Sequence, residues 1–327
     1  MKEIVIDTLG SDRGEVEIVE GAIDSRHCFP NYRFILVGTE KHIHEVLKKE
    51  GENIDDYVIL DSKPLDDDIH DAMSMLRFKG HCSIVDAFDY AKSHREAIGV
   101  FSAGPTGMIL VSSIRHIGCF PQVNFPVLAS FLYNIHHKLF CLVDCGANIE
   151  IREDKLLQFG QLGSALMKSY CGIDNPRVGL MNVGKEDTKG DSLRRAAFPL
   201  FQESGLNFIG NIEGSDVFMD KVDVVACDGF SGNVILKNAE SVGLIGAKMA
   251  EMNHEEKTAR QLYEMFAYNE LGGAILLGTD KIVMKAHGAS NRKSVKAVVK
   301  DIIRLDENHF IESMRNEIAS EKKQNFC

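Results

Sequence analysis

The sequence predicts an α/β fold built on a mostly parallel sheet, and three observations predict it. Short β-like runs alternate with longer helical stretches along the chain. The strand candidates are continuous apolar runs rather than alternating ones, which suits strands covered on both faces. Several of these runs end in small, polar, glycine-bearing turns, and open α/β sheets bind ligands at the carboxyl ends of their strands.

In chain order the strands are expected at Ile4–Ile6, Arg33–Val37, Ala97–Phe101, Leu139–Val143, Val178–Val183, Phe208–Ile209 and Val222–Ala226. Helical patterns lie between them at Glu15–Ser25, Ile84–His94 and Leu157–Cys171. The last segment, Gln261 to Cys327, reads as mostly helical, and the tail from about 315 to 327, with its charged run Glu321-Lys322-Lys323, is expected to fray. No low-complexity tract or Pro/Gly linker marks a boundary, so residues 1–327 are taken as one domain.

Composition excludes several classes. A chain of 327 residues with 44% hydrophobic content can bury a sizeable core. Its formal net charge of -11 argues against a nucleic-acid binder, which needs a basic footprint. No window holds the ~18 uninterrupted apolar residues of a spanning helix. The opening Ile4-Val5-Ile6-Asp7 lacks a signal-peptide layout, so a cytoplasmic protein is expected. Eight cysteines (28, 82, 119, 141, 145, 171, 227, 327) form no CxxC pair, which fits buried free thiols in a reducing compartment.

The turns carry the chemistry. Ile6 leads into Asp7-Thr8-Leu9-Gly10-Ser11-Asp12, and Phe101 into Ser102-Ala103-Gly104-Pro105-Thr106-Gly107. Val143 leads into Asp144-Cys145-Gly146-Ala147-Asn148, and Val183 into Gly184-Lys185-Glu186-Asp187-Thr188-Lys189-Gly190. The most informative is Asp228-Gly229-Phe230-Ser231-Gly232-Asn233, a sharp turn opening a helix whose first N–H groups would favour an anion. In a parallel sheet these turns share the carboxyl edge and line a site. None is a Walker A loop or a GxGxxG fingerprint, so a nucleotide is not the expected ligand.

Five segments closely resemble the PlsX family of phosphate acyltransferases. They are Leu157–Gly163 with Gly172–Leu180, Asn207–Gly214, Asp228–Lys237, Asp144–Asn148, and Lys285-Ala286-His287-Gly288-Ala289-Ser290-Asn291, in order over nearly the whole chain. The resemblance implies a three-layer α/β/α sandwich, isocitrate dehydrogenase-like and phosphotransacetylase-like, usually a homodimer. It implies transfer of an acyl group from acyl carrier protein to inorganic phosphate, serving phospholipid synthesis and requiring no cofactor or metal. It maps a catalytic lysine and asparagine onto Lys189 and Asn233. Asp7, Gly10, Asp12, Ser102, Gly104, Thr106, Gly107, Asp144, Asn148, Asp228, Gly229 and Gly232 are the expected phosphate- and substrate-binding positions.

These residue types suit that chemistry. Phosphate attacks a thioester carbonyl, an oxyanion forms, and a thiolate leaves. Lys189 can offer a point charge to phosphate, and Asn233 can donate its amide to the oxyanion. Two readings stand for His287, a proton donor to the thiolate or a capping residue at a helix start. Cys145 and Cys227 lie inside two turns, as small buried thiols or as a covalent nucleophile. The aspartates are expected to cap and orient turns.

Three departures from the family pattern stand out. Ser11 replaces a glycine, Pro105 replaces an asparagine and removes a backbone donor, and the run Leu76–Ser83 has lost charge. Segment 238–271 is expected to be shorter than the family's membrane-docking hairpin. Its Glu251, Glu255, Glu256 and Glu264 oppose its Met249, Met252, Leu262, Met265 and Phe266, so membrane association is expected to be weak or absent. After Asn291, Lys293, Lys296, Lys300 and Arg304 repeat at helical spacing over Val295, Val298, Val299, Ile302 and Ile303. That stripe is either a docking surface for an acidic carrier or a solvated face. Two alternatives remain for function: a paralogue using a short acyl-CoA or a dedicated carrier, and a non-catalytic family member.

Overall fold

The computed structural model describes every residue except 67, 68, 70, 71, 124, 267–272 and 325–327, and leaves out the side chains of 320–324. In chain order the elements are β1 (Glu3–Asp7), α1 (Glu15–Cys28), β2 (Arg33–Gly38), α2 (Glu40–Lys49), β3 (Tyr57–Asp61), α3 (Ala72–Arg77), α4 (Ser83–Ser93), β4 (Ala97–Ser102) and α5 (Thr106–Ser112). There follow β5 (Val127–Tyr133), β6 (Leu139–Val143), α6 (Glu153–Cys171), β7 (Arg177–Met181), α7 (Ser192–Glu203), β8 (Asn207–Ile212), β9 (Val224–Ala226), α8 (Gly229–Met252) and α9 (Glu256–Phe266). The chain closes with β10 (Ala274–Leu277), β11 (Ile282–Lys285), α10 (Arg292–Glu307) and α11 (Phe310–Gln324).

These elements form two compact units, Met1–Pro126 with Tyr268–Glu307, and Val127–Ala267 with Asn308–Cys327. In the first unit the strand order is β3-β2-β1-β4-β11-β10, parallel except for β10, which runs antiparallel to β11. Every residue of β1 is buried, so helices cover both of its faces, as its unbroken apolar run required. Helix α1 lies against α10 so closely that a Cβ on Gly21 would stand 2.6 Å from Val295 Cβ. In the second unit the order is β5-β6-β9-β7-β8, with β5 antiparallel to β6 and the others parallel. Helix α6 packs there through Gly163, whose Cβ would meet Val224 at 2.6 Å.

The α/β class with a mostly parallel sheet agrees with the expectation, and several boundaries do not. Val178–Val183 ends as a strand at Met181, and Val222–Ala226 begins at Val224. Strands β3, β5, β10 and β11 lay outside the expected set. The mostly helical reading of Gln261 to Cys327 agrees with the end of α9, α10 and α11, and the antiparallel pair β10–β11 interrupts it. Four-residue apolar runs such as Ala274–Leu277 have no period that separates a buried strand from a buried helix turn. The tail expected to fray is helical as far as Gln324, and its last residues, Cys327 among them, lie outside the described residues.

Of segment 238–271, residues 238–266 hold the second half of α8 followed by α9, and 267–271 lie outside the described residues. The two helices pack through small residues, since a Cβ on Gly243 would sit 2.2 Å from Phe266 Cβ. Val242, Ile245, Met249 and Met252 of α8 remain exposed, so the apolar face of this helix extends beyond Met249 and Met252, its two residues among the five named from the sequence. Among the described residues no helix is long and apolar enough to cross a membrane.

Candidate active site

In the second unit, strands β6, β9 and β7 are neighbours, so the turns that leave their carboxyl ends are neighbours too. The turn after β6 is organised around Asp144, which is fully buried. One carboxylate oxygen accepts the Gly146 and Ala147 N–H groups at 2.9 Å, and the other accepts the Asn148 N–H at 2.7 Å and its side-chain amide at 2.9 Å. Burial raises the Asp144 carboxyl above its ordinary range, against the pull of those four bonds. This turn docks on the start of α8. Gly229 N–H donates to the Asn148 carbonyl at 2.7 Å, and a Cβ on Gly232 would stand 1.8 Å from the Asp144 carbonyl oxygen. Only glycine permits that approach.

Asp228 caps α8, accepting the Ser231 N–H at 2.9 Å and its hydroxyl at 2.8 Å. Three of the first four N–H groups of α8 are therefore not open donors. Gly229, Ser231 and Gly232 spend their N–H groups on Asn148, the Asp228 carboxylate and the Asp228 carbonyl. Asn233 follows as an exposed side chain lying over Gly146, where a Cβ would meet Asn233 Oδ1 at 3.5 Å.

The turn after β7 carries Lys189, also exposed. Its backbone is braced: Lys189 N–H donates to the Glu186 carbonyl at 3.0 Å, and the Asn182 amide donates to the Lys189 carbonyl at 3.1 Å. The Asn211 amide holds the Glu186 carbonyl at 2.9 Å. Gly190 adopts φ 97°, a left-handed backbone that lets the chain turn into α7.

Arg194, absent from the sequence expectations, ties the two turns together. Its guanidinium donates to the Met181 carbonyl at the end of β7, to Asp191 at 2.6 Å, to Ser231 Oγ at 2.9 Å, and to Asp228 in an ion pair. Burial pushes the Asp228 carboxyl up, and the bonds from Ser231 and Arg194 outweigh it, holding it below its usual range. The sequence signal was local. Asp191 caps α7, and the first turn of a capped helix aims a long side chain back at the strand ends.

The remaining expected positions lie in the first unit. Asp7 is fully buried; Ser102 Oγ donates to it at 2.6 Å, and the Gly104 N–H donates to that hydroxyl at 3.2 Å. Burial raises the Asp7 carboxyl, so it works as an internal strut rather than a free anion. A Cβ on Gly10 would stand 2.5 Å from the Gly104 nitrogen, so these two turns touch. Asp12 N–H donates to the Gly288 carbonyl at 2.7 Å. Thr106 and Gly107 begin α5, whose N-cap is Pro105 at φ −60°, so proline sits where no backbone donor is required. Ser11 also has an account: its hydroxyl donates to the carbonyls of Gly288 and Ser290 at 3.1 and 3.0 Å, tethering the two turns.

His287 Nδ1 accepts the Ala289 N–H at 3.1 Å, which puts the proton of the neutral ring on Nε2. Lys293, Lys296, Lys300 and Arg304 are all exposed on α10, while Val295, Val298, Val299, Ile302 and Ile303 are buried. The thiol-nucleophile reading loses ground. Cys227 is fully buried, its Sγ donates to the Asp144 carbonyl, and burial drives its thiol well above the ordinary range. Cys145 Sγ is likewise buried, donating to the Leu128 carbonyl at 3.1 Å. Among the described residues no group of three or more His, Cys, Asp or Glu is placed to hold a metal ion.

A mostly parallel sheet with polar turns at the carboxyl ends of adjacent strands is the arrangement of the phosphotransacetylase class of folds. The phosphotransacetylase from Streptococcus pyogenes superposes with a TM-score of 0.65 at 17% identity, covering 95% of this chain and 94% of that one. A branched-chain phosphotransacylase from Enterococcus faecalis V583 superposes with a TM-score of 0.58 at 12% identity, over 96% and 99% of the two chains. The sequence pattern of the family described as "Fatty acid synthesis protein" matches residues 2–313, and the chain belongs to that family. It is 32% identical to a phosphate acyltransferase of Clostridium novyi (strain NT), over 97% of this chain and 98% of the relative. A phosphate acyltransferase of Pelotomaculum thermopropionicum is 35% identical, over 97% and 95%.

Proposed function

We propose that the protein is a phosphate acyltransferase that moves an acyl group from acyl carrier protein to inorganic phosphate. The observation that supports this most directly is the adjacency of β7 and β9, which sets the Lys189 turn beside the Asn233 turn, with Arg194 bonded to both. A phosphate oxygen attacks the thioester carbonyl and the C–S bond breaks, giving acyl phosphate and the carrier thiolate, which takes up a proton. Lys189 offsets the phosphate charge, and the Asn233 amide donates to the oxyanion of the tetrahedral intermediate. Phosphate is itself the nucleophile, so the buried state of Cys145 and Cys227 fits a reaction without an acyl-enzyme. His287, through Nε2–H, is the proposed hydrogen-bond donor to the leaving thiolate, and the proton that the thiolate takes up is the one released by the attacking hydrogen phosphate.

The remaining elements of the reading follow the same logic. The turns holding Asp7, Gly10, Asp12, Ser102, Gly104, Thr106 and Gly107 shape the substrate-binding surface of the first unit, and the exposed basic stripe of α10 receives the acidic carrier. The protein is cytoplasmic, works as a homodimer, and associates with membranes weakly or not at all. Incubation of the purified protein with phosphate and a panel of acyl carrier protein and coenzyme A thioesters tests the reaction. Acyl phosphate from the carrier thioesters supports the reading. Product from coenzyme A thioesters alone points to the paralogue reading, and no product from any donor overturns acyl transfer.

A further inference from the structure

A cleft of about 790 Å³ opens between the end of β7 and the first turns of α8. Its polar rim is Glu150, Asn182, Asp191, Arg194, Asp228 and Ser231, and its walls are apolar, formed chiefly by Ile149, Ile151, Leu193, Phe230, Val234 and Ile235. Three of those wall residues face water to an unusual degree: Ile149 is 65% exposed, Phe230 64% and Val234 51%. Large apolar side chains gathered in one concave place mark a binding groove.

The rim and the walls belong to the same elements as the candidate catalytic groups. Asn233 sits between Gly232 and Val234, and Phe230 stands three residues before it, so the amide and the apolar ridge share the first turns of α8. Asn182 on the opposite rim holds the Lys189 carbonyl. Three groups of the rim are committed to one another, Arg194 to Asp228 and Ser231, and Ser231 to Asp228. Asp191 also pairs with Arg194 and Glu150 is exposed, and apart from these groups and the Asn182 amide the lining is hydrocarbon.

We propose that this cleft is the subsite for the acyl chain, taking an extended hydrocarbon whose carboxyl-derived end lies at Asn233; this rests on the acyl-transfer reading above. A chain anchored at Asn233 runs along the Phe230–Val234 ridge toward Ile149 and Ile151. Ile235 and Leu193 then set how much of it is covered, and so which chain lengths are preferred.

Direct binding tests this without turnover. The full-length protein is titrated with cis-parinaric acid, a polyene fatty acid whose fluorescence rises in apolar surroundings, and the probe is displaced by saturated fatty acids of increasing length. Competitor affinity is expected to rise by about fourfold for each methylene buried, until the cleft is full. Ile235→Trp, which fills the cleft, is expected to weaken the probe by about tenfold or more, and Ile151→Trp to shorten the longest chain that still gains affinity. Wild-type probe affinity in both tryptophan variants overturns the proposal, as does a competitor series with no length dependence. Sedimentation velocity on the same samples reads the other occupants. If Ile235→Trp changes the oligomeric state but not probe affinity, the cleft is an interface between copies and the proposal fails. A probe signal that requires phospholipid vesicles makes it a lipid-facing surface, with the same consequence. Loss of acyl-phosphate formation with every thioester would sink the proposed reaction and leave the binding result standing.

Discussion

Arg194 and Asp228 form a buried ion pair, with side-chain exposures of 11% and 9%, that joins the turn bearing Lys189 to the helix bearing Asn233. Arg194 touches neither candidate catalytic side chain in the hydrogen bonds described, so it acts by positioning. Its guanidinium serves several acceptors in fixed directions, which an ammonium cannot reproduce. Arg194→Lys is therefore expected to stay folded, with a lower melting temperature, and to lose about tenfold or more in kcat. Arg194→Ala strands the Asp228 carboxylate, and breaking such a buried pair costs about 3–5 kcal/mol. Thermal melts beside steady-state kinetics check both, and an Arg194→Lys enzyme with unchanged kcat would refute the positioning role.

The same pair predicts an acid limb of stability. The Asp228 carboxyl lies below its ordinary value in the folded protein, so the unfolded chain takes up its proton first as pH falls. Its contribution is complete above the unfolded value, about 4, and is lost as pH drops through the lower folded value. Asp228→Asn should thus be less stable than the parent at neutral pH by a roughly constant margin, which narrows below about pH 4. Urea melts across that range measure the margin, and one that widens on acidification contradicts the sign.

Strands β1, β4 and β6 were legible because each is an apolar run closed by a polar, glycine-bearing turn. Strand β5 is as apolar, with VLASFLY almost wholly buried, yet no turn signature follows it, and it went unassigned. The site was legible in residue types but not in their employment. Asp7, Asp144 and Asp228 stood among the expected binding positions and were also expected to cap and orient turns, and the structure spends all three in the second way, on backbone N–H groups, serines and Arg194. The helix-start donors were spent the same way. The Asp191 cap is a local sign that Arg194 reaches back to the strand ends, but its partners Asp228 and Ser231 follow from the adjacency of β7 and β9, which a linear sequence does not display. The apolar wall of the cleft is likewise dispersed along the chain, over residues 149–151, 193 and 230–235, and no local pattern gathers it.

Removing either candidate catalytic side chain should lower turnover without unfolding the protein, because both are exposed. Loss of one preorganised donor to an oxyanion costs about 10²–10³ in rate. Asn233→Ala is expected to fall in that range in kcat. Lys189→Ala should add a rise in the KM for phosphate, since a point charge binds the nucleophile in the ground state as well. Near-normal turnover by either variant, with a wild-type melt, would remove that residue from its role.

Two glycines of the second unit offer a sharp structural contrast. A Cβ at Gly232 would overlap the Asp144 carbonyl oxygen, while one at Gly214 meets nothing within 4 Å. Gly232→Ala must push α8 away from the 144–148 turn, and overpacking of that kind costs about 1–3 kcal/mol or more. It should also lower activity, because Asn233 moves with the helix. Gly214→Ala should be close to neutral in both. Equal melting temperatures for the two variants would mean that the turn and the helix start are not held as described.

The basic stripe of α10 supplies the last test. Lys293, Lys296, Lys300 and Arg304 are exposed, and Asp24 of α1 lies near Lys296, so the stripe is not uniformly positive. Reversing Lys293 and Lys300 to Glu leaves that local pairing alone and inverts the outer charges. If an acidic carrier docks there, KM for the carrier-bound thioester should rise by about tenfold at low salt, with kcat little changed. Charges at the rim of an interface act through association rate and are screened, so the difference should shrink as ionic strength approaches about 0.5 M. A coenzyme A thioester, if turned over, should show a much smaller change, because it does not present the carrier's acidic surface. Carrier kinetics unaffected by the double reversal at low salt would make this helix a solvated face.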